Sequence, residues 1–171
     1  MTRYLATIVF LLVYTLASAA QTNPPPAHQH NVTAVVDGAT NPDQIPDAVA
    51  YRLYFVSVSE NPTPSADEAK RQHAHLGKAR LSETDIQAAS KVLANFKLAY
   101  AALIDTYNHS PEVLNNTNDG LSLFLAKRDA LVQETRDALK AVLTQDGMGA
   151  FDTNVKREKT HMKVAAQEVG Q

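Results

Sequence analysis

Cysteine is absent from this chain of 171 residues, and so is tryptophan. Without thiols there is no disulfide framework, no thiol catalysis and no thiolate metal site, so stability has to come from an ordinary apolar core. Glycine is scarce, with six residues. None of them builds a phosphate-cradling loop or the sharply turned G-x-S-x-G setting of an activated serine. An excess of positive charge is also missing, with 16 basic residues against 18 acidic. That balance excludes a general nucleic-acid binder, which needs cations to neutralise phosphates. Long apolar runs are lacking too, apart from one at the start of the chain.

That run, Leu5 through Leu16, is preceded by Arg3 and followed at once by Ala17-Ser18-Ala19-Ala20. A basic residue, a short apolar stretch and small side chains at the cut together have the form of a secretory signal peptide. Cleavage is expected near Ala20. A spanning helix needs roughly 20 apolar residues, and this run is shorter, so no stable membrane anchor is expected after cleavage. The product should be periplasmic or secreted, with Arg3 lost and a net charge near −3.

Four segments follow from the patterning: a signal peptide over 1–20, a flexible proline-containing tail over 21–45, a helical domain over 46–165 and a C-terminal tail over 166–171. The tail opens on Asn23-Pro24-Pro25-Pro26, and carries turn signals at Asp37-Gly38 and Asn41-Pro42-Asp43 without an apolar face between them. Residues 47–59 are ambiguous. Val49, Leu53 and Val56 share a helical face, yet Tyr54-Phe55-Val56-Ser57-Val58 also reads as a strand. Helix is expected, because no partner strand is evident and a lone strand cannot stand.

Ser65-Ala66-Asp67-Glu68 has the form of a capping box before a polar helix with a weak apolar face, expected to pack lightly. Leu81-Ser82-Glu83-Thr84-Asp85 is a second cap. After it, Ile86, Ala89, Leu93, Phe96, Tyr100, Leu103 and Tyr107 recur every three or four residues and predict a helix of about 25 residues with one apolar stripe. A further helix follows Asn118-Asp119-Gly120 and runs to about Leu143, on the face Leu121, Phe124, Leu125, Leu131, Val132, Ala138, Leu139 and Val142. Thr144 caps a last helix with the face Met148, Phe151, Val155 and Met162, whose Gly147 and Gly149 each weaken it by roughly 1 kcal/mol relative to alanine. The fold class is all-α, an antiparallel bundle or hairpin of about four to five helices.

Histidines are the candidates for metal chemistry. His28 and His30 lie in the tail and could take up copper or zinc loosely. His73 and His75 lie on a helix two residues apart, about 200° of rotation, so they face nearly opposite ways. The acidic residues fall at helix starts and solvated faces, where capping and ion pairing account for them. Lys156, Arg157, Lys159 and Lys163, with His161 among them, could meet anionic lipid or an acidic partner, but cations also suit a helix C-terminus. The three Asn-x-Ser/Thr triplets, at Asn31, Asn108 and Asn115, read as chance. No cofactor and no catalytic residue are expected.

Leu143-Thr144-Gln145-Asp146-Gly147 followed by Phe151, with the looser Leu81-Ser82-Glu83-Thr84-Asp85, resembles the LTxxQ-type helix openings of periplasmic Spy/CpxP-like proteins. Gly147 and Asp85 stand where that pattern has glutamine. The segments from Ile45 to Tyr51 and from Phe151 to Lys163 also resemble uncharacterised exported bacterial proteins. The first resemblance implies a small exported helical protein acting as a chaperone or as a stress or metal sensor of the bacterial envelope. The expected function is therefore a non-enzymatic envelope stress or chaperone-like binding module that offers an apolar groove to unfolded or helical protein clients. The alternative is a periplasmic metal-responsive binding protein using histidine and methionine ligands, with His28, His30, His73 and His75 as the candidate histidines.

Overall fold

A computed structural model describes residues 34–111 and 118–166, all within one compact unit that spans Thr33–Gln171. The expected signal peptide over 1–20, Pro24 to Pro26, His28 and His30 lie outside the described residues. The fold is all-α, with five helices among those residues: α1 (Asp47–Val58), α2 (Ala66–Gly77), α3 (Glu83–Asn108), α4 (Asn118–Val142) and α5 (Gln145–Glu158). The end of α3 meets the start of α4 through the Tyr107 and Phe124 rings, and the start of α3 meets Thr144, two residues past the end of α4, through Asp85. The two longest helices thus form an antiparallel hairpin.

The helix α1 occupies the centre. Val49, Ala50, Tyr51, Tyr54, Phe55 and Val58 are all buried, and so is Arg52. A helix buried on most sides has no single apolar stripe, which is why residues 47–59, expected as helix, could also be read as strand. The expected face is corrected accordingly: Leu53 is only half-buried and Val56 is exposed. Phe55 is fully buried, with ring centroids 5.3 Å from Phe96 on α3 and 6.3 Å from Phe151 on α5. Such tilted aromatic contacts add to plain area burial. Above this core, the Tyr51 hydroxyl donates to the Asp152 carboxylate, and the Arg136 guanidinium from α4 lies 4.5 Å over the Tyr51 ring.

Residues 34–45, expected as flexible tail, belong to the folded unit. Val35–Asp37 forms a short strand, β1, paired antiparallel with β2 (Lys163–Ala165), Val36 opposite Val164. Gly38 follows, and its N–H donates to the Met162 carbonyl at 2.9 Å. A Cβ there would sit 1.8 Å from the Lys159 carbonyl oxygen, so no other residue fits. Ile45 is then fully buried. Lys159 Nζ donates to the Ile45 carbonyl and to Asp47 Oδ1, both at 2.7 Å, and this contact holds the Asp47 carboxyl below its usual value. The two ends of the domain are fastened together. The same arrangement corrects the last helix, which stops at Glu158 so that Met162 lies past it.

Helix α2 is held lightly, as its polarity predicts, with Gln72 and Leu76 its buried residues. Its capping box is present: Glu68 N–H donates to Ser65 Oγ at 3.3 Å, and Ser65 N–H donates to Glu68 Oε2 at 2.8 Å. The caps of α3 and α5 are joined to each other. Asp85 N–H donates to Ser82 Oγ, and Gly147 N–H donates to Thr144 Oγ1. The Asp85 carboxylate accepts from the Ser82 hydroxyl at 2.7 Å, the Thr144 N–H at 2.9 Å and the Thr144 hydroxyl at 3.0 Å. Gly147 is therefore required and not merely a weakness in α5: a Cβ there would meet Asp85 Oδ2 at 2.6 Å. Gly149, one residue beyond its neighbour, has open space around it.

Two predictions follow for the cap junction. Gly147→Ala should destabilise the protein by about 1–3 kcal/mol through overpacking against Asp85, whereas Gly149→Ala should stabilise it by up to about 1 kcal/mol. Urea unfolding distinguishes the two, and equal effects would contradict the geometry. The hydrogen bond from the Thr144 N–H, with that from Ser82, holds the Asp85 carboxyl below its free value of 3.8. Its contribution is thus complete above pH 3.8 and lost as pH falls through the lower folded value. Asp85→Asn should cost about 2 kcal/mol at neutral pH and make stability fall less steeply with acidification.

Candidate functional site

The α3–α4 hairpin is unevenly covered. Over its first half α3 buries Ile86, Ala89, Leu93 and Phe96 against the other helices. Beyond Phe96 no residue of α3 is buried, and Tyr100 is the last to pack against the core. With 26 residues, α3 is about 39 Å long at 1.5 Å per residue, about twice the length of α1 or α2. The side chains of α4 behave likewise. Arg128, Val132, Thr135 and Leu139 form its buried face, while Leu121 to Lys127 are exposed or half-buried. The expected face is corrected at both ends, since Leu121 and Val142 are exposed and Arg128 and Thr135 replace them.

In its distal half the hairpin is a layer of two helices. Tyr107 and Phe124 meet with ring centroids 4.6 Å apart, and Leu103, Leu123 and Gly120 surround them in a shallow apolar cleft edged by Thr106 and Lys127. Four of the seven large apolar side chains exposed among the described residues lie here: Leu98 (53%), Ile104 (37%), Leu121 (46%) and Leu123 (55%). Two helices cannot bury apolar residues on both outer faces, so these side chains stay in contact with water. Scattered exposed apolar side chains need no explanation; here four of them fall on the distal halves of the two paired helices. The charges interspersed with them, Lys97, Asp105 and Lys127, are mixed in sign and select no particular partner charge.

The two candidate histidines among the described residues, His73 and His75, are not brought together. His73 Nε2 lies 2.8 Å from Glu83 Oε2, an exposed contact that links α2 to α3. His75 lies on another side and lines a cavity of about 370 Å3 with Ser57, Glu158, His161 and Met162. Among the described residues no group of three or more His, Asp or Glu side chains is placed to hold a metal ion. The cavity does hold a serine, two histidines and a carboxylate, the raw materials of a nucleophilic site. They are not wired as one: Ser57 Oγ donates to the Tyr54 carbonyl at 2.7 Å, and no hydrogen bond joins it to His75 or His161. The Tyr54 hydroxyl there accepts from Asn154 at 2.9 Å, and burial pushes its pKa up to about 12. Met148 and Met162 pack against the core, as expected from their flexible apolar character.

Sequence patterning placed Tyr107, Phe124 and Leu121 on apolar faces but did not separate the covered half of the hairpin from the uncovered one. The only available signal was length: a helix of about 25 residues beside partners of about 12 must run past them.

Together these features describe a small helical bundle with an extended two-helix hairpin whose far end is apolar. No protein-family model, no curated protein and no solved structure matches this chain. No described helix is long and apolar enough to cross a membrane.

The uneven cover has a measurable consequence for stability. Phe151→Ala, in the core, should cost about 3–5 kcal/mol, whereas Leu123→Gln should stay within about 0.5 kcal/mol of the parent. A large loss for Leu123→Gln in a thermal or urea melt would mean that the distal hairpin is covered after all.

Proposed function

We propose that this protein is a non-enzymatic binding module of the bacterial envelope or exterior, with a chaperone-like role under envelope stress. The distal half of the α3–α4 hairpin holds an apolar segment of an unfolded or helical client. The observation that carries this reading is the concentration of exposed apolar side chains where the hairpin is only two helices thick. A client helix laid along the cleft beside Leu103, Tyr107 and Phe124 would add the third layer that the core end already has, in the manner of helix-in-groove recognition. The near-balanced local charge suits a binder that tolerates varied clients, because it imposes no electrostatic filter. The envelope setting rests on the resemblance of the segment from Leu143 to Phe151 to Spy/CpxP-like helix openings and on the signal-like apolar start of the chain.

The test uses purified protein with an environment-sensitive hydrophobic dye and with a chemically denatured model client prone to aggregation. The parent should enhance dye fluorescence and delay aggregation at near-stoichiometric ratios. A double variant, Ile104→Gln with Leu123→Gln, should lose most of both effects while melting at the parent temperature. Inertness of the parent in both assays would sink the proposal.

A further inference from the structure

In the sequence, Lys156, Arg157, Lys159 and Lys163 look like one basic cluster. The fold disperses it. Lys159 is tied to Asp47 and the Ile45 carbonyl, and Lys163 Nζ lies 3.8 Å from Asp37 Oδ2. Arg157 instead meets two cations from a distant part of the chain. With Lys78 and Arg80, in the turn between α2 and α3, it lines an open cavity of about 440 Å3. Thr153, Asn154 and Gly149 form the α5 wall, and no carboxylate lines the cavity.

The polar groups there are arranged in one sense. The Arg157 guanidinium is fixed from behind, donating to Asn154 Oδ1 and, at 3.2 Å, to the Lys78 carbonyl, with Glu158 3.8 Å away on the side of the neighbouring cavity. Asn154 spends its amide N–H on the Tyr54 hydroxyl, and Thr153 donates to the Gly149 carbonyl at 2.8 Å. The neutral donors are therefore used. Neither the Lys78 ammonium nor the Arg80 guanidinium has a hydrogen-bond or ion-pair partner among the described residues. Lys78, Arg80 and Arg157 are thus the charged residues that line this cavity, although Arg80 also borders a neighbouring one that holds Asp85 and Asp146.

Arg80 adds a second observation. Its φ is 60°, and among the described residues it is the only non-glycine residue with positive φ. It lies in the turn two residues past the Lys78 cap of α2, in the left-handed region that glycine enters without a Cβ clash. A long cationic side chain is held there at a conformational cost, and such outliers concentrate where a side chain is needed for binding.

We infer that the cavity formed by Lys78, Arg80 and Arg157 is a binding site for a phosphoryl group, carried either by a small soluble molecule or by a lipid headgroup. Three cations match a dianion, and guanidinium groups offer paired N–H donors to two of its oxygens. Its volume lies within the range of small-molecule sites. The site is separate from the distal hairpin and does not depend on the client-binding reading.

The test titrates the purified protein with inorganic phosphate and glycerol phosphate, following backbone amide shifts. In parallel, sedimentation is measured with phosphatidylcholine vesicles, with and without phosphatidic acid. Arg80→Gly removes the charge and relieves the left-handed strain, so it should melt at or above the parent temperature and yet bind about tenfold or more weakly. Arg157→Gln should weaken binding similarly, and Arg80→Lys should fall between the two. Saturable shifts at residues 78–80 and 153–157 with the soluble phosphates, lost in Arg80→Gly, establish a soluble ligand class. Sedimentation that requires phosphatidic acid and is lost in the same variant establishes a headgroup ligand. Absence of both, or binding unchanged in Arg80→Gly and Arg157→Gln, overturns the inference.

Discussion

One buried carboxylate sets the geometry of the base of this bundle. Asp85 sits in the first turn of α3, where its own N–H is capped by Ser82, and its oxygens reach across to the N–H and hydroxyl of Thr144, the cap of α5. Two helix N-termini, each with a partial positive charge, thus converge on a single negative one. An isolated buried carboxylate would be costly, but here every near donor points at it. The constraint propagates. Because Thr144 lies two residues past the end of α4, fixing it beside the start of α3 sets how α4 returns along α3, and Gly147 is what allows α5 to pass close enough.

The second constraint comes from α1. A helix surrounded on most sides needs neighbours all around it, and four helices with the strap 34–46 supply them. Phe55 touches α3 and α5 through Phe96 and Phe151, Tyr51 reaches Asp152 and Arg136, and Ile45 closes the end. The β1–β2 ladder is too short to be stable alone. It persists because Gly38 and Lys159 bind the same two segments side by side, so that the ladder only completes a closure already made.

These relations explain what could be read from the sequence and what could not. The caps at Ser65, Ser82 and Thr144, the stripe from Ile86 to Tyr107 and the all-α class were legible because they are local: a cap needs three residues, a stripe one helix. The roles of Asp85 and Gly147 were not, since each depends on a contact between caps 59 residues apart. Arg128 and Thr135 were passed over on α4 because polar residues on a buried face break the apolar pattern that identifies it. The strand at Val35–Asp37 is too short to show a period, and its partner lies at the other end of the chain. The gathering of Lys78, Arg80 and Arg157 was equally invisible, for the run around Arg157 drew attention to neighbours in sequence that the fold sends elsewhere.

The candidate binding surface belongs to this same logic of reach. Every device that fastens the domain, the Asp85 junction, the Tyr51–Asp152 contact, the Lys159 clamp and the aromatic core, acts on the proximal half of the hairpin or on what surrounds it. None extends past Tyr100. The distal half is therefore held by the pairing of two helices and by the rings of Tyr107 and Phe124, and its opening should cost less than that of the base. A surface of low local stability, apolar and near-neutral, can adjust to the segment it receives while the cross-linked base stays fixed. That division would place adaptability at the surface proposed to hold a client and rigidity in the base.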